Sequence, residues 1–282
     1  MHGKTIVITG ATSGIGEVAA IRLAEQGARI VHVARDAKRA EAMQGALKRA
    51  NPAADHVVHM ADLSLLAEMK RVGRQIAAAE PKIDVLVCNA GALFNKRQVT
   101  ADGLEKTFAL NHMAYFILTD ILRPNIADGG RIVVTASNAH RGAVLDFNDL
   151  QSEHGYSGFP VYCRSKLMNI LFTRALARRL AVESSRGITA NALHPGFVAT
   201  RFGDQSGGLM GGMLRVIKPV GAISPEEGAK TIVYLAASPE VAGVTGGYFY
   251  RCRPETPTVH AQNDADGERL WKISEEIARL SQ

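Results

Sequence analysis

Tyr162 and Lys166 stand four residues apart in a segment of helical period, so their side chains leave one face of a helix a single turn from each other. A free phenol titrates at about 10, too high for efficient proton exchange at neutral pH, and correcting that takes roughly 3 to 4 kcal/mol of preferential phenolate stabilisation. A neighbouring ammonium and a positively charged ring can supply it. The chemistry open to such a pair is proton transfer to or from an oxygen atom. Ser137, at the end of the β-branched run Arg131 to Thr135 and its two following residues, offers a hydroxyl to hold that oxygen. Alone, a tyrosine and a lysine at this spacing are ordinary; Ser137 and a glycine-rich turn far upstream give them meaning.

That turn reads Thr9-Gly10-Ala11-Thr12-Ser13-Gly14-Ile15-Gly16, between a strand-like run and a helical one. Glycines at 10, 14 and 16 let the chain turn sharply and bring backbone N–H groups from Gly10 through Ser13, Gly14, Ile15 and Gly16 against a pyrophosphate, at the positive end of the helix dipole. Cofactor choice is read at the end of the second strand, where an acid would bind the ribose 2′-OH of NAD. Here Val31-His32-Val33-Ala34-Arg35-Asp36 places a small neutral residue and then arginine. Arg35 can grip a 2′-phosphate with its planar fork of donors, which points to NADP(H). The competing reading makes Arg35 a surface residue at a helix entry, with Asp36 a ribose acceptor or an N-cap.

The elements that must position these residues alternate in type. Strands are expected at Thr5 to Thr9, Arg29 to Ala34, His56 to His59, Val85 to Cys88, Arg131 to Thr135, Ile188 to Leu193 and Tyr248 to Tyr250. Helices are expected near Ile15 to Gln26, Ala37 to Ala50, Leu65 to Ala79, Leu104 to Leu122, Val161 to Glu183 and Pro225 to Ala236. Single helices between successive strands make right-handed crossovers, so the pattern predicts an α/β fold: a doubly wound parallel sheet of about seven strands with helices on both faces. No composition shift or repeat marks a second domain, and residues 1–282 are read as one dinucleotide-binding and catalytic domain. Two stretches break the rhythm: an insertion at 139–159 and a glycine-rich loop at 202–220, either a mobile flap over the substrate or a plain surface loop.

Of the 282 residues, 46% are hydrophobic and 21% charged, which suits a large core and argues against disorder. The formal charge of +6 is spread over helices without basic clusters interleaved with aromatics, so a nucleic-acid partner is not expected. No apolar run approaches the roughly 18 to 20 residues of a membrane span, and the early first strand leaves no room for a signal peptide. Cys88, Cys163 and Cys252 cannot all pair and show no CxxC spacing, which fits a reducing, cytoplasmic setting. No metal is expected, because His140 and His194 lack partners at ligand spacing; both are read as structural hydrogen-bonding residues. Cys163 points about 100° away from Tyr162 on the helix and is read as packing. Met210 and Met213, like Phe94 and Tyr156, either line the substrate pocket or fill space.

With these residues in place the chain resembles the short-chain dehydrogenase/reductase family over essentially its whole length. The TGxxxGxG turn is Thr9 to Gly16, the asparagine-alanine-glycine motif is Asn89-Ala90-Gly91, and YxxxK is Tyr162 to Lys166. Ser137 matches the catalytic serine, and Asn111 matches the helix asparagine that anchors a water beside the lysine. Asp62-Leu63 resembles the pair that contacts adenine, and Pro195-Gly196 with Thr200 resembles the PGxxxT segment that holds the nicotinamide carboxamide. Ala139-His140, Asp146 to Leu150, Asn191 to Gly196 and the tail Tyr248 to Cys252 with Leu270-Trp271 resemble the branch of retinol dehydrogenases, WW-domain oxidoreductase and protochlorophyllide reductases. Ala136 and Cys88 depart from the residues common there, a second serine and a first asparagine. The branch acts on retinoids, steroids, other lipid carbonyls and tetrapyrroles.

The resemblance implies an NADP(H)-dependent carbonyl/alcohol oxidoreductase acting on an apolar aldehyde, ketone or lipid-like small molecule. The pro-S hydride passes to carbon, Tyr162 gives the oxygen its proton, Ser137 holds that oxygen, Lys166 lowers the tyrosine pKa and binds the nicotinamide ribose, and Asn111 orders a water. It also implies homo-oligomers through the helices near 104–122 and 161–183. Reduction of a C=C bond on the same scaffold and a non-catalytic NADP(H)-binding sensor are the alternatives.

Overall fold

The computed structural model describes residues 1–183, 185–197 and 223–280. Seven strands run parallel: β1 (Thr5–Thr9), β2 (Arg29–Ala34), β3 (Val57–Met60), β4 (Ile83–Cys88), β5 (Ile126–Thr135), β6 (Thr189–Leu193) and β7 (Tyr248–Tyr250). A two-residue strand, β8 (Arg253–Pro254), adds antiparallel to β7, so the sheet has eight strands where about seven were expected. The order is β3-β2-β1-β4-β5-β6-β7-β8. The chain works outward from β1 to β3, then returns to lay β4 on the other side of β1, and this reversal opens a crevice beyond the carboxyl ends of β1 and β4.

Strands buried on both faces read as continuous apolar runs, as in Ile83-Asp84-Val85-Leu86-Val87-Cys88 of β4, all six of which are buried. One face carries α1 (Gly14–Glu25), α2 (Ala37–Ala50) and, later in the chain, Pro225–Ala237; Ile6, Ile8, Leu23, Leu47 and Ile232 form their shared core. The other face carries α3 (Leu66–Ala79), a short α4 (Lys106–Phe108), α5 (Ala114–Leu122) and α6 (Gly158–Glu183), with Val7, Ile76, Phe116 and Leu176 buried between them.

The helix expected over Leu104 to Leu122 is broken. Between α4 and α5 the residues Ala109–Met113 form a π turn, in which the Ala114 N–H reaches back to the Ala109 carbonyl. The extra residue changes which side chains face inward and carries Asn111 at its centre.

Counting Pro225–Ala237 as α7, the last helix is α8 (Asp264–Leu280), of which only Leu270 and Trp271 were singled out in the sequence. It lies across α5 and α6. Trp271 meets Phe116 edge-on at 4.9 Å and stacks on Phe172 at 5.8 Å, with the Arg179 guanidinium 4.0 Å over its ring. Glu268 takes Arg178 at 2.9 Å and Arg179 at 2.7 Å, and Ser274 meets His112 at 2.7 Å. The helices through which the family resemblance implied oligomers are therefore covered, over these aromatic residues, by the chain's own C-terminal helix. Among the described residues no helix is long and apolar enough to cross a membrane.

Candidate active site

β1 ends in Thr9, whose hydroxyl receives the main-chain N–H groups of Asn89 and Ala90 at 2.9 and 3.0 Å. Asn89 replies through Nδ2, donating to the carbonyls of Thr9 and Gly10, each at 3.2 Å, while its Oδ1 accepts from Thr135 at 3.3 Å. The exits of β1, β4 and β5 are thus laced together by one asparagine. Gly10 and Gly14 take φ of +70° and +60°, which a side chain would strain. Gly16 answers to space instead: a Cβ there would lie 2.2 Å from the Gly10 carbonyl oxygen and 2.3 Å from Asn89 Nδ2. Ser13, exposed at the N-cap of α1, makes no side-chain capping bond, so the first N–H groups of that helix stay available to an anion. Gly10, Ser13, Gly14, Ile15 and Gly16 therefore fit a pyrophosphate.

At the end of β2, Arg35 is exposed, its guanidinium 3.9 Å from Asp62. Asp36 caps α2, accepting from the Arg39 N–H at 2.9 Å, so its carboxylate already has a structural task. Asp62 accepts from both the N–H and hydroxyl of Ser64, at 2.9 and 2.8 Å, and Leu63 beside it is buried.

Lys166, only 3% exposed, donates from Nζ to the Thr135 carbonyl at 2.9 Å, and Asn169 one turn on donates to the same oxygen at 3.3 Å. The ammonium lies 5.7 Å from the ring centres of both Tyr162 and Tyr115. The Tyr162 hydroxyl is hydrogen-bonded to the Ser137 side chain. Ser137 also caps the 3₁₀ turn Asn138–Gly142, accepting from the Ala139 N–H at 3.1 Å. Asn111 has its amide engaged: Oδ1 accepts from the Ala92 N–H at 2.9 Å, and Nδ2 donates to the Ala92 carbonyl and Ser165 Oγ at 2.9 and 3.0 Å. It ties the Asn89-Ala90-Gly91 exit to α6. Gly91 is the residue that fits there, since a Cβ would stand 3.1 Å from Asn111 Oδ1 and 3.5 Å from Lys166 Nζ.

Among the protein's own groups, burial dominates the titration of the pair. It pushes the Tyr162 phenol up, against the Ser137 hydrogen bond that lowers it and with the Cys163 thiol adding to the rise. It brings Lys166 down to about 7. The phenol thus starts as a proton donor, and the lysine holds its proton loosely. A base whose pKa falls from 10.5 unfolded to about 7 folded has given up in the native state a proton that the unfolded chain keeps between those values. Its unfavourable effect is complete below pH 7 and fades as pH rises to 10.5. Melting temperature should therefore climb more steeply with pH over that window in the wild type than in Lys166→Met; parallel curves would refute the buried-ammonium account.

Pro195 and Gly196 follow β6, and Gly196 takes φ +87°. Thr200, Met210, Met213 and the loop 202–220 lie outside the described residues. Phe94 is buried beneath the Lys106 ammonium, and Tyr156 donates to its carbonyl at 2.8 Å, so these two residues pack the insertion down. Phe159, half exposed, stacks 6.5 Å from the Tyr162 ring and is the aromatic beside the reacting centre. Sequence reasoning missed it, along with the Thr135 carbonyl and Tyr115. Tyr115 had a signal, one helical turn from Asn111; a main-chain carbonyl has none.

A sequence profile described as short chain dehydrogenase matches residues 4–207. Human (Homo sapiens) retinol dehydrogenase 14 is 37% identical over 302 residues, covering 99% of this chain and 88% of that protein. A protein of Streptomyces sp. (strain C5), provisionally named daunorubicin C-13 ketoreductase, is 38% identical, covering 97% of this chain and 92% of its own. The crystal structure of a short chain dehydrogenase from Burkholderia cenocepacia in complex with NADP superposes with a TM-score of 0.69 at 26% identity, over 88% of this chain and 96% of that one.

Proposed function

The chain belongs to the short chain dehydrogenase family and is an NAD(P)-dependent oxidoreductase, and from that premise we propose that it uses NADP(H) to interconvert a carbonyl and an alcohol on an apolar aldehyde, ketone or lipid-like molecule. The observation that carries this reading is the buried Tyr162 hydroxyl hydrogen-bonded to Ser137, with Lys166 held beside it by the Thr135 carbonyl. In the reduction direction Tyr162 donates its proton to the substrate oxygen while the Ser137 hydroxyl holds that oxygen in line. Lys166, pinned at the end of β5, orients the ribose and favours the phenolate that remains. Asn111, beside Lys166, orders the water through which the phenolate regains a proton. The nicotinamide, when bound, supplies or accepts the hydride. Asp62 and Leu63 flank the adenine, Asn89, Ala90 and Gly91 line the crevice floor, and Pro195, Gly196 and Thr200 take the carboxamide.

Preference for the 2′-phosphate rests on Arg35, which is exposed while Asp36 is committed to capping. The substrate class is supported by the names of the two relatives above, one for a retinol and one for a ketone. We place the enzyme in the cytoplasm, where its three free cysteines would stay reduced, and take residues 1–282 as one catalytic unit.

Two measurements test this. Apolar aldehydes and ketones assayed by NADPH absorbance should consume cofactor and yield a hydroxyl product; saturation of a C=C bond instead would replace the carbonyl assignment. Arg35→Ala should lose about 10- to 100-fold in NADPH affinity, the worth of charge-assisted hydrogen bonds to a phosphate, while NADH binding stays level. An equal loss for both cofactors would move the 2′-phosphate contact elsewhere.

A further inference from the structure

His194, the first residue after β6, is buried and stacks on Tyr250 with ring centres 4.1 Å apart. Its Nδ1 accepts from the Gly196 N–H at 3.2 Å. An amide can only donate, so the ring proton sits on Nε2 and goes to Glu255 Oε2 at 2.8 Å. The other Glu255 oxygen receives Arg141 at 2.5 Å. Arg141 belongs to the 3₁₀ turn that Ser137 caps, and also holds Asn138 Oδ1 at 2.7 Å and the Thr256 carbonyl at 3.2 Å. Two residues further on, the Thr258 N–H donates to His140 Nε2 at 3.3 Å, and His140 returns its Nδ1 proton to the Ser137 carbonyl at 2.8 Å. The short segment just past β8 therefore touches both turns that flank the reacting centre.

We propose that Glu255 is a positioning residue for the nicotinamide half of the cofactor, clasping the Pro195-Gly196 turn to the Ser137 turn through His194 and Arg141. The proposal rests on the assignment of Pro195-Gly196 as the nicotinamide contact. The carboxylate has two tasks that an apolar residue cannot do. It fixes which ring nitrogen of His194 carries the proton; moved to Nδ1, that proton would face the Gly196 N–H across 3.2 Å. It also draws Arg141, and with it the serine turn, toward the same point. Burial pushes the Glu255 carboxyl up, but the hydrogen bonds and charges of His194 and Arg141 together outweigh it and hold the group below the usual carboxylate range.

Binding of two probes separates a clasp at the nicotinamide end from a general structural role. NADPH carries both halves of the cofactor; 2′,5′-ADP carries only the adenine half. Glu255→Ala is expected to weaken NADPH about tenfold, the worth of one charge-assisted hydrogen bond, and to leave 2′,5′-ADP unchanged. Glu255→Gln, whose amide oxygen still accepts from His194 Nε2 while its NH2 cannot accept from Arg141, should restore part of the NADPH affinity. In turnover the alanine variant should lose in kcat rather than in the carbonyl KM, as misplacement of a reacting group does. Arg141→Ala, at a half-exposed position, should show the same split between probes and serves if Glu255→Ala does not fold. NADPH affinity unchanged in these variants, or equal loss for both probes, would overturn the clasp alone. A wild-type chain that binds neither probe would overturn the cofactor assignment and the clasp with it.

Discussion

Tyr162→Phe is expected to cut carbonyl turnover by about 10³-fold, the middle of the range for a positioned general acid, while NADPH binds as in the wild type. The substitution removes one oxygen from a ring whose position is set by helix packing, so the pocket keeps its shape. What disappears is the hydroxyl that lies one turn from Lys166 and is bonded to Ser137. Burial holds that phenol in its protonated form, so reduction finds the proton in place throughout the neutral range. Alcohol oxidation needs the phenolate, so its kcat/KM should rise with pH in the wild type. The phenylalanine variant, having no group to titrate, should show no such rise. Full activity, or an unchanged pH profile for oxidation, would move the acid elsewhere.

Gly16→Ala should be nearly as damaging, by a different route. The added methyl would stand 2.2 Å from a main-chain oxygen and 2.3 Å from the amide that laces β1 to β4. Neither neighbour is the loose end of a flexible side chain. The turn must open, at about 1 to 3 kcal/mol of stability. Amide groups aimed at the pyrophosphate swing away with it; since each such bond is worth about 1.5 to 3 kcal/mol, NADPH affinity should fall about 100-fold or more. Gly45→Ala is the control. It lies inside α2, where the new Cβ would come no closer than 3.4 Å to the far end of Arg49, and it should be neutral or slightly stabilising. Wild-type NADPH affinity in Gly16→Ala would show that the turn does not hold the phosphates.

The parts of this site that a sequence displays are those fixed by local geometry. The turn at Gly10 to Gly16 and the Tyr162–Lys166 spacing are each written within a few residues, and the structure puts them at the carboxyl ends of β1 and β5, the two strands that flank β4. Strand centres were legible for the same reason, since β-branched runs between helical periods define them; β1, β2 and β7 have the expected bounds, while β3, β4, β5 and β6 differ at their ends, most at β5, which begins at Ile126 because Asp128, Gly129 and Gly130 hide its first half. The π turn at Ala109–Met113 was invisible, because a single added residue shifts a helical pattern no more than ordinary irregularity does. α8 escaped for another reason. Its place is decided by partners about 90 residues away, such as Arg174 and Arg178 on Asp264. The clasp through Glu255 was equally hidden: a glutamate outside any motif acquires its task only from the histidine and arginine that the fold brings to it.

Because α8 completes the aromatic face of α5 and α6, that face is finished by residues that lie well after it in the chain. Phe116 and Phe172 are synthesised before Trp271 exists to cover them, so a nascent chain that has not yet reached α8 lacks that cover. Ser137, Tyr162 and Lys166 are already present by then.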